Sequence, residues 1–121
     1  MINTNNYLDN YKLIILIIKK GIASKLLIKL RKVGVGGSTI MFGKGTAEKN
    51  IYEQILGVEY QPEKEIIFIA VDSSKADKIL DTIIKEEHID KPGHGIAIVV
   101  NLSKCAGIAR LLNINLEERS R

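Results

Sequence analysis

The sequence predicts an α+β domain of ferredoxin-like βαββαβ order, a four-stranded antiparallel sheet with two helices on one face and a long loop between strands 2 and 3. Three observations lead there. Two strand–helix–strand segments follow one another, over residues 11–42 and 64–101. Within each, the apolar pattern switches from runs of isoleucine and valine to a helical period. Each also carries a glycine-rich stretch at the edge of its second strand: Val35-Gly36-Gly37-Ser38-Thr39-Ile40-Met41-Phe42-Gly43-Lys44-Gly45-Thr46 in one, Lys91-Pro92-Gly93-His94-Gly95-Ile96 in the other.

The elements follow in order. Residues 1–10 are polar and read as a flexible tail. Tyr11 to Lys19 is an unbroken aliphatic strand that Gly21 interrupts. From Ile22 the period changes: Ile22, Leu26, Leu30 and Val33 share one helical face, and Gly34 stands where a helix C-terminal glycine belongs. Ser38 to Phe42 is the second strand, and Gly43 to Glu63 the long connection. Lys64 to Val71 is the third strand. Asp72-Ser73-Ser74 offers helix N-cap chemistry, with Asp77 at capping-box spacing from Ser74. Ala76, Ile79, Leu80, Ile83 and Ile84 mark one face of the second helix, and Gly95 to Asn101 is the fourth strand. The folded domain is expected over 11–112, with a polar tail over 113–121.

Composition narrows the function. A chain of 121 residues with 45% hydrophobic content is one globular domain with a core. Its strands are apolar at nearly every position, which predicts burial on both faces. Two helices cover only one face, so self-association through the bare face is expected. The longest aliphatic run, Leu13 to Ile18, is far too short to cross a bilayer, so no membrane insertion is expected. No cationic secretory leader is visible, and the single cysteine, Cys105, allows no internal disulfide; both favour the cytoplasm. The net charge of +4 gathers in Lys19, Lys20, Lys25, Lys29, Arg31 and Lys32, which suits the solvated face of a helix.

The glycine corners invite two motif readings that fail. Walker A needs Ser or Thr directly after its lysine, but Gly45 follows Lys44. The dinucleotide fingerprint needs a third glycine and a preceding strand, and Gly34-Val35-Gly36 has neither. What remains is a pair of backbone corners that approach an anion without a Cβ in the way, with lysines nearby. His94, between two glycines, is a candidate anion donor. One cysteine and two histidines, His88 and His94, supply no structural metal motif, so no metal is expected. No nucleophile has a recognisable base partner, so no enzyme is expected. Asn101-Leu102-Ser103 is a glycosylation acceptor without meaning in cytosol.

On these residues the chain resembles the PII signalling family, the trimeric nitrogen-regulatory proteins. Val33-Gly34-Val35-x-Gly37-x-Thr39 is similar to the family's approach to its second strand. Lys44-Gly45 resembles the start of its T-loop, and Gly93-His94-Gly95 its B-loop. The resemblance implies a homotrimer that binds an adenine nucleotide (ATP, ADP or AMP) in clefts between subunits and regulates a transporter, enzyme or regulator through a mobile T-loop. It implies nucleotide contacts by Gly37, Thr39, Lys44, Gly45, Gly93, His94 and Gly95. It implies a partner-binding loop containing Thr46, Lys49, Tyr52, Ile55 and Tyr60. Several positions depart from the family's pattern. The B-loop lysine is replaced by Ile96 and its acidic residue by His94. The arginine-rich segment after the fourth strand and the magnesium-site glutamine are missing. Glu63 stands where a lysine follows the T-loop proline, which argues against sensing of 2-oxoglutarate. Three other classes share the fold: a nucleic-acid-binding module, which needs exposed aromatics on its sheet; a small acylphosphatase-like hydrolase, which needs a phosphate-loop arginine and a positioned asparagine that the glycine corners lack; and an amino-acid-binding regulatory domain, which leaves the long loop unexplained. No nucleic-acid partner is expected.

Overall fold

A computed structural model describes residues 7–45 and 62–107 of the chain. The elements run β1 (Tyr11–Lys19), α1 (Ala23–Arg31), β2 (Thr39–Lys44), β3 (Glu63–Asp72), α2 (Ser73–Glu87) and β4 (Ile96–Asn101). The sheet order is β2-β3-β1-β4, with all three pairings antiparallel. The predicted fold class therefore holds.

Strand parity decides which residues form the core. Successive strand residues point to opposite faces. In β1 the buried set is Ile14, Leu16 and Ile18; in β3 it is Glu65, Ile67, Ile69 and Val71. Ile14 pairs with Ile69 and Leu16 with Ile67, so these residues form one surface. Leu26 and Leu30 of α1 and Ile79 and Ile83 of α2 pack on it, all fully buried. Each such side chain contributes roughly 1.5–3 kcal/mol of burial.

Among the described residues of one chain, one of the two faces is buried. The opposite parity places Leu13, Ile15 and Ile17 of β1 beside Ala70, Phe68 and Ile66 of β3 and Val100, Ile98 and Ile96 of β4. Among the described residues no helix covers this face, and Ile96, Ile98 and Val100 are exposed there. Right-handed crossovers put both helices on the same side, so neither covers the second apolar face.

Helix ends follow local chemistry, with one correction. Gly34 (φ +104°) follows α1, and the Val35 N–H donates to Leu30 O at 3.1 Å while Gly34 N–H donates to Arg31 O at 3.2 Å. This is the glycine-terminated helix end that the sequence suggested. At α2 the N-cap is Asp72, whose carboxylate accepts from the Ser74 N–H at 2.9 Å. The Ser74–Asp77 capping box does not form, because Ser74 already lies inside the helix.

Asp72 also accepts from the Ser74 hydroxyl at 2.7 Å and from Asn10 Nδ2 at 3.1 Å. Ser74, through its hydroxyl and its N–H, holds the Asp72 carboxyl below its ordinary value. A lowered folded-state pKa stabilises above the unfolded value of 3.8 and is lost as pH falls through the folded value. Asp72→Ala is expected to cost about 1 kcal/mol at neutral pH and less once the pH falls below the unfolded value. Urea unfolding of parent and variant at neutral and acid pH checks this; a difference that grows on acidification opposes it.

The segment before β1 is held in place. Leu8 and Cys105 exchange backbone hydrogen bonds at 2.6 and 2.7 Å. The Asn10 carbonyl accepts from the Ser73 N–H and hydroxyl, and Lys104 Nζ lies 4.7 Å from the Tyr7 ring centre. The loose tail read over 1–10 is thus anchored over 7–10, and 1–6 lie outside the described residues.

Candidate functional site

The two glycine corners meet at one end of the sheet. A cleft of about 310 Å³ opens there on the face without helices. Gly43, Lys44 and Gly45 line it from the end of β2, and Gly93, Gly95 and Ile96 from the loop before β4. Ile17, Lys64 and Ile66 form the wall between them. β2 and β4 are the two edge strands, so the cleft spans the full width of the sheet.

The base of the long connection is closed by hydrogen bonds. Lys44 pairs with Glu63, and the Gly45 N–H donates to Pro62 O at 3.2 Å. The second strand thus runs two residues beyond its predicted end, and Lys44 belongs to it. A Cβ on Gly45 would stand 3.3 Å from Lys64 Cγ, and one on Gly43 3.3 Å from Ile66 Cδ1. Side chains here would crowd the cleft wall.

Gly93 and Gly95 differ in kind. Gly93 (φ +80°) has open space where a Cβ would go. Gly95 (φ +138°) would place a Cβ 2.7 Å from Ile17 O, 3.1 Å from Ile18 Cγ2 and 3.2 Å from Ile89 Cδ1. Gly95 is therefore required for β4 to dock on β1, and only Gly93 is free to vary without collision.

Parity also sorts the charges. Glu63 turns away from the cleft and pairs with Lys20 at 2.6 Å. The hydrogen bond and charge of Lys20 hold the Glu63 carboxyl below its ordinary value, and Glu63 in turn raises Lys20. The next residue, Lys64, has the opposite parity and faces the cleft, whereas Lys44 stands opposite Glu63, shares its face and borders the cleft from the end of β2. Sequence reasoning missed Lys64. The signal was its register opposite Gly43, one position past a glutamate that drew attention to itself.

It also missed Glu65, a buried carboxylate on the helix side of β3. Glu65 Oε1 accepts from the N–H groups of Gly21, Ile22 and Ala23 at 2.6, 2.9 and 3.0 Å. Helix α1 has Ile22 at its N-cap, with no side chain of its own to accept those donors. A glutamate from the third strand performs that task, one strand step from the cleft-lining Lys64 and Ile66.

The other named residues divide. Lys44, Gly45, Gly93 and Gly95 come together in the cleft. Thr39 is exposed at the opposite end of β2, five residues or roughly 17 Å from Lys44, and Gly37 precedes it. The His94 ring does not line the cleft; it meets His88 edge-on, with ring centres 6.2 Å apart. Thr46, Lys49, Tyr52, Ile55 and Tyr60 lie outside the described residues. Among the described residues, no helix is long and apolar enough to cross a membrane.

Comparison with solved structures finds the same fold. PII of Arabidopsis thaliana bound to citrate superposes with a TM-score of 0.61 at 18% identity, over 78% of this chain and 79% of that one. GlnK of B. subtilis gives 0.60 at 24% identity, over 77% and 85%. The GlnK–ATP complex of B. subtilis gives 0.58 at 23%, over 77% and 82%. No curated protein matches the sequence. The profile of the family described as Nitrogen regulatory protein P-II matches residues 11–110, nearly the whole span of the sheet, its helices and both glycine corners. With the fold and the sequence profile in agreement over that span, the chain belongs to the P-II nitrogen regulatory protein family.

Proposed function

We infer that the protein is a non-enzymatic, trimeric signalling protein that binds an adenine nucleotide between subunits and regulates a partner protein through the loop over 43–63. The observation that carries this reading is the meeting of both glycine corners with Lys44 and Lys64 in one cleft. Backbone corners and the Lys64 ammonium suit the phosphates of a nucleotide. A structural neighbour, GlnK of B. subtilis, has been solved as its ATP complex, which favours that ligand class.

The inter-subunit placement has a geometric argument. Gly37 and Thr39 stand at the opposite end of β2 from Gly93. A single nucleotide reaches both sets only where a second copy brings its Thr39 to the first copy's cleft. The open apolar face carries the surface for such association, with Ile96 55% exposed and Met41 48%. Base stacking on that face, as a nucleic-acid binder needs, finds only Tyr11 and Phe68 among the described residues, both half-buried. Nucleotide would bias the loop between two arrangements, to the extent that its affinity for them differs. The sequence setting favours a cytoplasmic protein.

Calorimetric titration against ATP, ADP, AMP, cyclic nucleotides and 2-oxoglutarate tests the ligand. A saturating adenine nucleotide is expected to stabilise the fold by about 2.7 kcal/mol at a hundredfold excess over Kd. Gly93→Glu, whose Cβ meets nothing within 4 Å although φ +80° strains it, puts a negative charge beside the cleft and is expected to weaken binding at least about tenfold, or 1.4 kcal/mol, with the oligomer intact. Response to none of these ligands, or equal affinity in the variant, contradicts the reading.

A further inference from the structure

We propose that His88 and His94 form a two-imidazole site for a borderline divalent cation of the Zn²⁺ or Ni²⁺ class, on the turn between α2 and β4. The site is separate from the nucleotide reading and does not rest on it. Five residues lie between the two histidines, a spacing that matches no structural metal motif. The fold nonetheless brings their rings to 6.2 Å, edge to face.

The backbone holds them there. His88 terminates α2 in the left-handed region at φ 52°, and its N–H donates to Ile84 O. The Ile89 N–H donates to Ile84 O at 3.2 Å, the Lys91 N–H to His88 O at 2.9 Å and the His94 N–H to Lys91 O at 3.3 Å. This chain of bonds folds residues 88–94 into consecutive turns, so the ordering of the two ring-bearing residues is already largely met before any ion arrives.

The chemistry fits a late first-row ion. Neutral imidazole offers one ring nitrogen as a lone-pair donor, and it suits zinc, nickel and copper. With a metal–nitrogen bond of about 2.0–2.1 Å, two rings on one tetrahedral ion have centres roughly 5 Å apart. Both histidines are exposed, and rotation about their side-chain bonds closes the remaining distance. Among the described residues no group of three or more His, Cys, Asp and Glu converges. An open site of this kind takes water or an oxygen of an external ligand at its remaining positions. The location gives the ion a consequence. Lys64 supplies the cleft's charge from the β3 side, while Gly93, Gly95 and Ile96 supply none from the loop side. An ion on His94 pins the turn on which Gly93 stands.

The test is calorimetric titration of the full chain with ZnCl₂ and, separately, NiCl₂, in a Cys105→Ser background that removes the thiol as a competing donor. His94→Asn and His88→Asn are compared with it; asparagine tolerates the left-handed conformation at position 88. Saturable binding of one ion per protomer is expected, at least tenfold weaker in each variant. Metal-free melting temperature is expected to be unchanged in His94→Asn, whose side chain is exposed, so that variant decides the matter if His88→Asn unfolds. No saturable binding up to about 1 mM, or binding by His94→Asn equal to the parent, overturns the proposal.

Discussion

Glu65→Ala is expected to lower stability by about 3 kcal/mol, and Glu65→Gln by roughly half that. The glutamate is 6% exposed, and a single oxygen, Oε1, receives three backbone N–H groups from the start of α1. Alanine leaves those donors without an acceptor, at about 1–3 kcal/mol for each one that water cannot reach. Gly21 is exposed and Ile22 is half-buried, so water recovers part of the loss there, whereas Ala23 is fully buried. Glutamine keeps an acceptor oxygen but loses the charge that strengthens these bonds. Glu63→Ala, two residues away, is the internal control. Its pair with Lys20 is more than half exposed on both sides, so solvent screens it and its loss costs far less than that of the buried cap. Urea unfolding at fixed protein concentration gives the order parent, Gln, Ala. Equal midpoints for Glu65→Ala and Glu63→Ala contradict the assignment of Glu65 as the cap of α1.

Gly95→Ala is expected to be the most damaging single methyl group in the described residues. Its Cβ would lie 2.7 Å from the Ile17 carbonyl oxygen, a backbone atom in the central strand β1 that has nowhere to move. At φ +138° an L residue is strained as well. Both costs fall on the first turn into β4, whose register opens with Ile96 opposite Ile17. A loss of about 3 kcal/mol or more is expected, near the upper end for point substitutions. Gly93→Ala carries backbone strain of roughly 1–2 kcal/mol and no collision. Thermal unfolding of the two variants separates the roles: Gly95 holds the strand, Gly93 shapes the cleft. Similar melting temperatures contradict that division. The same contrast means that loss of ligand binding in a Gly95 variant says little about ligand contact.

Much of this architecture was legible in the residues because local signals agreed with tertiary ones. Tyr11–Lys19 emerges with its predicted ends, since isoleucine-rich β1 lies between two partners and nothing in it breaks the ladder. Gly34 ends α1 as its position suggested. The errors have physical causes. β2 continues to Lys44 because glycine at 43 does not prevent pairing with Lys64. Of the N-cap candidates over 72–74 it is Asp72 that caps α2, and the Ser74–Asp77 box fails because the Asp72 carboxylate accepts from the Ser74 N–H itself. Glu65 was invisible as a cap because its donors lie more than 40 residues away in sequence. The parity of an acid among buried positions 65, 67, 69 and 71, together with an uncapped Ile22, was the available signal. Part of the site was legible as well: Lys44, Gly45, Gly93 and Gly95 were named from glycine chemistry and resemblance, and they meet in one cleft. Lys64 and the turned-away Glu63 depend on register, which single residues do not reveal.

The central claim is that the nucleotide site is shared between subunits, and mixed trimers test it most directly. Thr39→Phe and Gly93→Glu disable opposite halves of the proposed site, so each variant alone is expected to form trimers that do not bind nucleotide. In trimers assembled from both, co-expressed in equal amounts, one interface joins an intact Thr39 to an intact Gly93. The account predicts that about one site in four regains parent affinity, as random assembly in a closed ring requires. No recovery in mixed trimers whose composition is verified by mass would contradict a shared site and place every contact within one subunit.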